Sequence, residues 1–227
     1  AAGEGGAFPI DGTACEDVTI RGCTFRGMVA GVGTHRHYND DGSMEAPESQ
    51  ASNVVVTNCV FESMMSYAVS MFCFRDSAIV GNTVTTAAGS EASGFRVIGR
   101  SSVRIAGNRL SSIGAHGVSL EAEDDEALVA EIRSNGINGT ADHGVCSIGK
   151  RISAVIAGNE IRNAGRNGLD VVGGEAEVSG NEIRSPGNYG VCVRDGAALK
   201  AKAGSNVYLT GDGTLTVNGN AKNGIKV

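Results

Sequence analysis

The sequence predicts an all-β solenoid, in which the chain winds through stacked coils of short parallel strands. Three observations carry this prediction: a short phrase recurs seven times, apolar residues alternate within it, and glycine is abundant. No window of about 11 or more residues shows the period of an amphipathic helix. Self-similarity with a period of roughly 20 to 50 residues is the signature of stacked repeats, so each copy of the phrase is expected to be one coil.

The recurring phrase places a small residue and then Asn or Cys between apolar residues. Its clearest copies, 156–161 and 178–183, align without a gap. Cys fills the anchor position at Cys23 and Cys59, which a long loop separates by 36 residues. Asn fills it in five further copies, which are spaced by 26, 27, 24 and 22 residues: Asn82, Asn108, Asn135, Asn159 and Asn181. A coil of this length is too long for a narrow hexapeptide helix and indicates three faces of parallel strands.

Period-two alternation places two strands of each coil. The residues three and five positions before the anchor are mostly apolar: Val54 and Val56, Ser77 and Ile79, Val103 and Ile105, Ala154 and Ile156, Ala176 and Val178. A second phrase, ten-odd residues later, opens with Gly or Ala, and we expect these residues to point inward: Val32, Thr34, Val69, Met71, Phe95, Val97, Val118, Leu120, Val145, Leu169, Val171, Val191 and Val193.

The repeat resembles the right-handed parallel β-helix of the pectate-lyase type, and the resemblance covers the chain from about Asp17 to Val227. It implies one right-handed parallel β-helix domain over residues 1–227, a solenoid of about eight coils. The chain has no initiator Met and ends in a strand phrase, Gly224–Val227, with nothing polar after it. Because solenoids need capped ends, we expect a fragment of a longer chain, with further coils or self-association at the C-terminal end.

Composition agrees with a narrow core and excludes some functions. The chain has 34 Gly, 3 Pro, no Trp and 41% hydrophobic residues. This composition suits many tight corners and a narrow core. The net charge is −6 and the basic residues are scattered, so the sequence predicts no basic patch that would bind nucleic acid. No run approaches the roughly 18 apolar residues of a membrane span. The N-terminal residues do not read as a signal peptide, so a secreted or cell-surface location would require an export signal that was upstream or has been removed.

The six cysteines leave two interpretations open. Cys23 and Cys59 share one slot in neighbouring coils, about 4.8 Å apart at the sheet spacing, which suits a disulfide or a stacked pair of buried thiols. Cys146 and Cys192 share another slot two coils apart. No Cys-x-x-Cys or Cys-x-x-His spacing occurs, so no zinc site is predicted.

The column of asparagines suggests either a binding row or a structural ladder. An inward Asn at a coil corner can hydrogen bond to the backbone above and below it and adopt a left-handed conformation. We therefore expect an amide ladder, with the preceding glycines at the same corner.

Functional side chains are expected between the inward residues of the second phrase. That outward column reads Gly33, Ser70, Arg96, Ser119, Cys146, Asp170 and Cys192. In β-helix enzymes that act on polysaccharides the substrate groove lies along such a sheet, so the resemblance implies an acidic polysaccharide as partner. Ser70 and Asp170 are accordingly candidate substrate-binding residues.

A segment after the first coil, residues 35–42, concentrates reactive side chains at a strand end. A uronate sugar needs a cation for its carboxylate and a base for the acidified proton. His35 or His37 would be that base and Arg96 the clamp, with substrate contacts from Tyr38 and Asp41. The alternative is a solvated loop with Asp-Gly turns.

A second constellation comes from the residue before each strand glycine. His116 and His143 stand in adjacent coils, followed by Asn167 and Tyr189 in the same column. Stacked histidines could share a proton or a metal, which makes His116, His143 and Tyr189 candidate ligand-binding residues; the alternative is a polar surface ladder. No cofactor motif occurs, although the acidic run 121–126 could hold Ca²⁺ or be a solvated loop.

Three functions remain open. The first is a lyase or epimerase that processes an acidic polysaccharide. The second is a carbohydrate-binding module without turnover, and the third is a stalk or interaction domain of a surface protein. The carboxylate pair of a glycoside hydrolase is not evident in the sequence. The tail, 211–225, is similar to repeats of bacterial surface β-helix proteins, which favours a bacterial secreted or surface protein.

Overall fold

Short strands separated by tight corners make up the described part of the molecule. The computed structural model describes residues 8–9, 15–33, 51–201 and 208–210. The first thirteen strands are β1 (Phe8–Pro9), β2 (Thr19–Arg21), β3 (Thr24–Arg26), β4 (Ala30–Gly33), β5 (Ala51–Ser52), β6 (Val55–Thr57), β7 (Val60–Met64), β8 (Tyr67–Phe72), β9 (Phe74–Arg75), β10 (Ser77–Val80), β11 (Thr83–Ala87), β12 (Phe95–Ile98) and β13 (Ser102–Ala106). The others are β14 (Arg109–Ile113), β15 (Val118–Glu121), β16 (Leu128–Arg133), β17 (Gly136–Thr140), β18 (Val145–Ile148), β19 (Ile152–Ala157), β20 (Glu160–Ala164), β21 (Leu169–Val172), β22 (Glu175–Ser179), β23 (Glu182–Arg184), β24 (Val191–Arg194), β25 (Ala198–Ala201) and β26 (Tyr208–Thr210).

The strands form three parallel sheets that the chain visits in rotation. The first sheet has the order β2-β6-β10-β13-β16-β19-β22-β25, the second β3-β7-β11-β14-β17-β20-β23-β26, and the third β1-β4-β8-β12-β15-β18-β21-β24. A minor sheet pairs β5 with β9. The predicted fold class, an all-β right-handed parallel β-helix, is confirmed.

The number of turns is smaller than predicted. Between β6 and β25 the chain returns to the first sheet six times, so six uninterrupted turns are described, whereas the sequence suggested about eight. The strands β2, β3 and β4 precede these turns. Within the described residues the structure contains no helix, and therefore none that is long and apolar enough to cross a membrane.

The core runs along the inside of the coil and follows the predicted alternation. Every inward residue predicted for the third sheet from Val69 to Val193 is buried, as is Val32. Thr34 lies outside the described residues. Ile, Val and Leu side chains of all three sheets join in one cluster, in which Phe61 and Phe95 are also buried. Burial of this apolar surface is the main driving force that stacks the turns.

The asparagine column forms the predicted ladder. The Nδ2 of Asn135 donates to the carbonyl of Ile105 and to Oδ1 of Asn159, both at 2.9 Å, and its Oδ1 accepts from the backbone N–H of Asn108 at 3.0 Å. The left-handed backbone conformation belongs to the residue before the anchor and not to the anchor Asn: Gly81, Gly107, Gly158 and Gly180 have φ values of 69°, 64°, 63° and 59°. The expectation of left-handed asparagines was therefore wrong, because the corner is made one residue earlier.

The six cysteines all lie within the described residues, and no disulfide joins them. Cys59 is buried as predicted, whereas Cys23, between β2 and β3, is exposed, so the expected inward stack is only half formed. Burial raises the pKa of the Cys59 thiol. Cys146 and Cys192 flank Asp170 in register, two turns apart as predicted.

Candidate functional site

The candidate site is built on the outward column of residues of the third sheet. Strand register aligns Gly33, Ser70, Arg96, Ser119, Cys146, Asp170 and Cys192 in successive turns. The column was expected to face solvent, but Ser119, Cys146 and Asp170 are each only 1% exposed. Longer polar side chains contact two of them: Glu121, held by Arg96 of the preceding turn, accepts from Ser119, and Arg194 of the following turn donates to Asp170. The outer face of the third sheet therefore carries a second, polar layer over the coil.

Arg96 anchors one end of this layer through an ion pair. Its Nε donates to Oε1 of Glu121 at 2.8 Å, its Nη2 donates to Oε2, and its Nη1 donates to the hydroxyl of Tyr67 at 2.9 Å. Burial opposes ionisation of both partners, but the pairing prevails: the pKa of Glu121 is lowered and that of Arg96 is raised. Ser119 also donates to Glu121 at 2.8 Å. The carboxylate and the guanidinium are thus held charged in a fixed geometry.

The two predicted histidines stack and cap the main chain of the next turn. The rings of His116 and His143 are 12° from parallel with centroids 5.2 Å apart. Nδ1 of His116 accepts from the backbone N–H of His143 at 3.4 Å, and Nδ1 of His143 accepts from that of Asn167 at 3.1 Å. Oδ1 of Asn167 accepts from the N–H of Tyr189 at 3.2 Å. The column is a side-chain-to-backbone ladder, in which the imidazole nitrogen takes the place of an amide oxygen.

This ladder fixes the tautomer of both imidazoles. Because each Nδ1 accepts a hydrogen bond, the proton of the neutral ring is on Nε2. Nε2 of His143 lies 3.3 Å from Oδ1 of Asp142 and 3.6 Å from Oδ2 of Asp170. Burial lowers the pKa of both histidines and outweighs these carboxylates, which act in the opposite direction. Both rings are therefore neutral at pH 7, and His143 presents its Nε2–H to the carboxylates of Asp142 and Asp170.

Asp170 is a buried carboxylate that holds the far end of the layer together. Its Oδ1 accepts from Asn167 at 2.9 Å and its Oδ2 from Arg194 at 3.0 Å. Burial raises the pKa of Asp170, but the hydrogen bond from Arg194 and the nearby His143 lower it overall, so the group stays ionised. Burial and the Asp170 charge raise the pKa of the Cys146 thiol well above its usual range.

A cleft of about 240 Å³ opens where the layer ends at Arg96. Tyr67, Ser93, Arg96, His116 and Glu121 form part of its wall. Two more carboxylates, those of Glu91 and Asp142, complete the charged lining. Oδ1 of Asp142 is buried and accepts no hydrogen bond of good geometry, although Nε of Arg166 lies 3.2 Å away. One guanidinium therefore faces three carboxylates, and the charge balance of the cleft disfavours an anionic ligand.

The donor atoms of His116, His143 and Cys146 lie within 4.8 Å of one another, a set that Zn²⁺ could bind. The two histidines are nevertheless oriented for the hydrogen-bond ladder and not for a shared metal ion. Both Nδ1 atoms are engaged with the main chain, and the in-plane lone pairs of two stacked rings run side by side without converging. Metal binding would require both rings to turn and give up these bonds.

The acidic run 121–126 is dispersed among different partners. Glu121 pairs with Arg96, Asp124 with Lys150 at 2.5 Å, and Asp125 with Arg100 at 3.9 Å. The carboxylate of Glu126 accepts from the backbone N–H of Glu123 at 3.1 Å and closes the turn. This geometry favours a loop of ion pairs over convergent oxygen ligands for Ca²⁺.

The predicted site residues fall into two groups. Arg96, Ser70, His116, His143, Asp170 and Tyr189 all belong to the outer face of the third sheet. His35, His37, Tyr38 and Asp41 lie outside the described residues. Sequence reasoning missed Tyr67 and Arg194 and the pairing of Glu121. The signal was available for two of these, because Glu121 and Arg194 stand two positions after Ser119 and Cys192 and so share their face.

Comparison of the chain with protein-family models, with curated proteins and with solved structures gives no significant match.

Proposed function

We propose that this chain binds a polysaccharide along the outer face of its third sheet and does so without cleaving it. The observation that carries the proposal is the row of fixed polar side chains, from Tyr67 to Arg194, which repeats at the sheet spacing and ends in a cleft. A linear polymer also presents similar groups at regular intervals, so such a row suits it better than a compact small molecule.

The chemistry of the cleft suits the hydroxyl groups of an uncharged sugar. Glu121 and Asp142 offer acceptor oxygens, while Arg96 and Tyr67 offer donors next to them. Its volume of about 240 Å³ is below the range typical of drug-sized ligands and fits a single small unit of a chain. Because three carboxylates oppose one guanidinium, a uronate reaching Arg96 would have to compete with Glu121.

The protonation states of the carboxylates and histidines in this layer favour binding without turnover. A glycosidase needs a carboxylic acid whose pKa is raised, yet the pKa values of Glu121 and Asp170 are lowered. In both histidines Nε2 carries the proton and Nδ1 accepts a hydrogen bond from a backbone N–H. Neither ring therefore has a free lone pair with which to act as a base. A lyase or epimerase would therefore depend on His35 or His37, with Arg96 as clamp, and this stays our second candidate.

The wider setting is part of the same proposal. A polysaccharide partner agrees with a secreted or cell-surface protein of bacterial type and with the pectate-lyase-like resemblance of the repeat. A stalk or self-associating domain is the competing interpretation.

The proposal is tested by calorimetric titration with neutral and anionic polysaccharides, together with assays for unsaturated uronates and new reducing ends. Tyr67→Ala should weaken binding of a neutral glycan at least tenfold. His116→Asn should also weaken it while keeping the ladder, because Asn167 already fills that role in the same column. The control is Asn138→Ala, an exposed change on the second sheet.

Unsaturated products would contradict the proposal and identify a lyase, with His35, His37 and Arg96 as the next variants. Absence of binding to every glycan would favour the stalk.

A further inference from the structure

A second groove, remote from the cleft, lies where the chain passes from the third sheet to the first. It encloses about 500 Å³ and we call it the arginine groove: Arg75, Arg100, Ser102, Asp125, Val129 and Arg151 line it. Arg75 ends β9, while Arg100 and Arg151 shortly precede β13 and β19. The three guanidiniums therefore come from the same corner of different turns.

The cations of this groove are poorly neutralised. Nη1 of Arg151 donates to the backbone carbonyl of Asp125 at 2.8 Å, so a main-chain oxygen and not a carboxylate holds it. Arg100 meets the Asp125 carboxylate only at 3.9 Å, and that side chain is 81% exposed. No described carboxylate is paired with Arg75.

Two further acidic groups stand near the groove. Lys150 neutralises Asp124, whereas Asp76, next to Arg75, accepts a hydrogen bond from the Ser102 hydroxyl at 3.1 Å and keeps its negative charge. On the second sheet, by contrast, the exposed Arg162 pairs with Glu160 in its own strand. Three guanidiniums against the one carboxylate of Asp125 give the lining a formal charge of +2 (3 − 1), or +1 when Asp76 is included (3 − 2), in a chain whose net charge is −6. The groove is a local cationic site on an acidic protein.

The spacing of the arginines indicates an extended ligand. Arg75 and Arg100 stand in adjacent turns and Arg151 two turns further, so they span about 14 Å at the sheet spacing. A single oxyanion cannot reach all three, whereas a linear polymer with repeated negative groups can. The lining contains no aromatic side chain on which a base could stack, and base stacking is a main contribution to single-stranded nucleic acid binding.

We propose that the arginine groove binds a linear anionic glycan through its carboxylate or sulfate groups. This deepens the proposed function and rests on it for the identity of the polymer. It also assigns the acidic groups of such a polymer to the first sheet, since the cleft on the third sheet has the opposite charge balance. Arg100 and Arg151 would each donate two hydrogen bonds to an oxyanion, as guanidinium geometry allows.

The test measures binding of a sulfated heparin oligosaccharide and of polygalacturonate oligomers by fluorescence anisotropy over a range of NaCl concentrations. The variant Arg75→Gln/Arg100→Gln should bind at least tenfold more weakly, with a shallower dependence on salt. Arg109→Gln removes the same charge from an exposed position on the second sheet and should bind as the unaltered chain does. Val129→Glu, at a side chain that is 55% exposed, adds a carboxylate to the groove and should weaken binding without removing a contact.

The outcomes separate this proposal from the previous one. Tyr67→Ala should leave anion binding intact, and loss of neutral-glycan binding alone would affect only the cleft. Failure of both anionic probes to bind, or equal losses in Arg109→Gln and the groove variants, would overturn the groove. Tighter binding of a single-stranded DNA oligonucleotide than of either glycan would also overturn it. Preference for one of the two glycans would distinguish sulfate from carboxylate recognition.

Discussion

The imidazole of His116 lies face to face with that of His143, and each ring accepts a hydrogen bond from the backbone of the following turn. Protonation of either ring would turn the accepting nitrogen into a donor that faces another donor. Protonation of both rings would also place two positive charges within 5.2 Å of each other. The pair is therefore a ladder element that functions only in its neutral form.

This relationship predicts that the protein loses stability in mild acid. The folded-state pKa of both histidines lies below the value of 6.5 that an unperturbed His has, so below pH 6.5 the unfolded chain binds more protons. The free energy of unfolding should be fully retained above pH 6.5 and fall as the pH drops through the folded-state values. Each pKa unit of depression corresponds to about 1.4 kcal/mol. Urea unfolding at pH 5 to 8 measures it.

The matched variant is His116→Asn/His143→Asn, which keeps an acceptor at each step of the ladder and removes the titration. Its stability should be nearly independent of pH between about 5.5 and 7.5. The chain has two more histidines, His35 and His37. If the slope survives in the double variant, these account for it and the ladder explanation is wrong.

The fold was predictable because its signals are local and repeated. The period, the inward alternation and the Asn column each repeat once per coil. Because the coils stack in register, residues at the same position of successive coils become neighbours in space. The site was predictable only as a column. Which side chains pair across turns depends on their length and direction: Arg96 reaches Glu121 and Arg194 reaches Asp170, and neither pairing follows from the period. The burial of Ser119 is a consequence of those pairings, so the sequence could not indicate it.

The asparagine ladder predicts a large loss from a single truncation. Asn135→Ala would leave the carbonyl of Ile105 and the N–H of Asn108 buried without partners. Each such group costs about 1–3 kcal/mol, so the two together predict a loss of roughly 2–6 kcal/mol. Asn138→Ala, an exposed change three residues later in the same turn, should stay within about 0.5 kcal/mol. Chemical denaturation of both variants decides the matter, and equal losses would contradict the ladder's contribution.

The thiols should differ in reactivity by their position in the coil. Cys23 is exposed, whereas Cys146 is buried with a raised pKa, so at pH 8 its reactive thiolate is almost absent. Maleimide labelling followed by peptide mass spectrometry should modify Cys23 within minutes and Cys146 only after the chain is unfolded. Labelling of Cys146 as fast as that of Cys23 in the folded protein would show that the polar layer opens readily.

Gly136, the first residue of β17, and Gly144, just before β18, should respond in opposite ways to the same substitution. A Cβ on Gly144 would lie 2.4 Å from Cγ2 of Ile161 and 2.6 Å from the carbonyl oxygen of Gly168, so neither the core nor the next turn has room for it. Gly144→Ala should destabilise the fold by roughly 1–3 kcal/mol, as overpacking does. At Gly136 nothing lies within 4 Å of the added Cβ, and its φ is not in the left-handed region. Gly136→Ala should therefore stabilise by up to about 1 kcal/mol, because it restricts the unfolded chain. Thermal unfolding of both variants tests this contrast. If Gly136→Ala were destabilised, the need for glycine in strand β17 would have a cause other than steric room for the side chain.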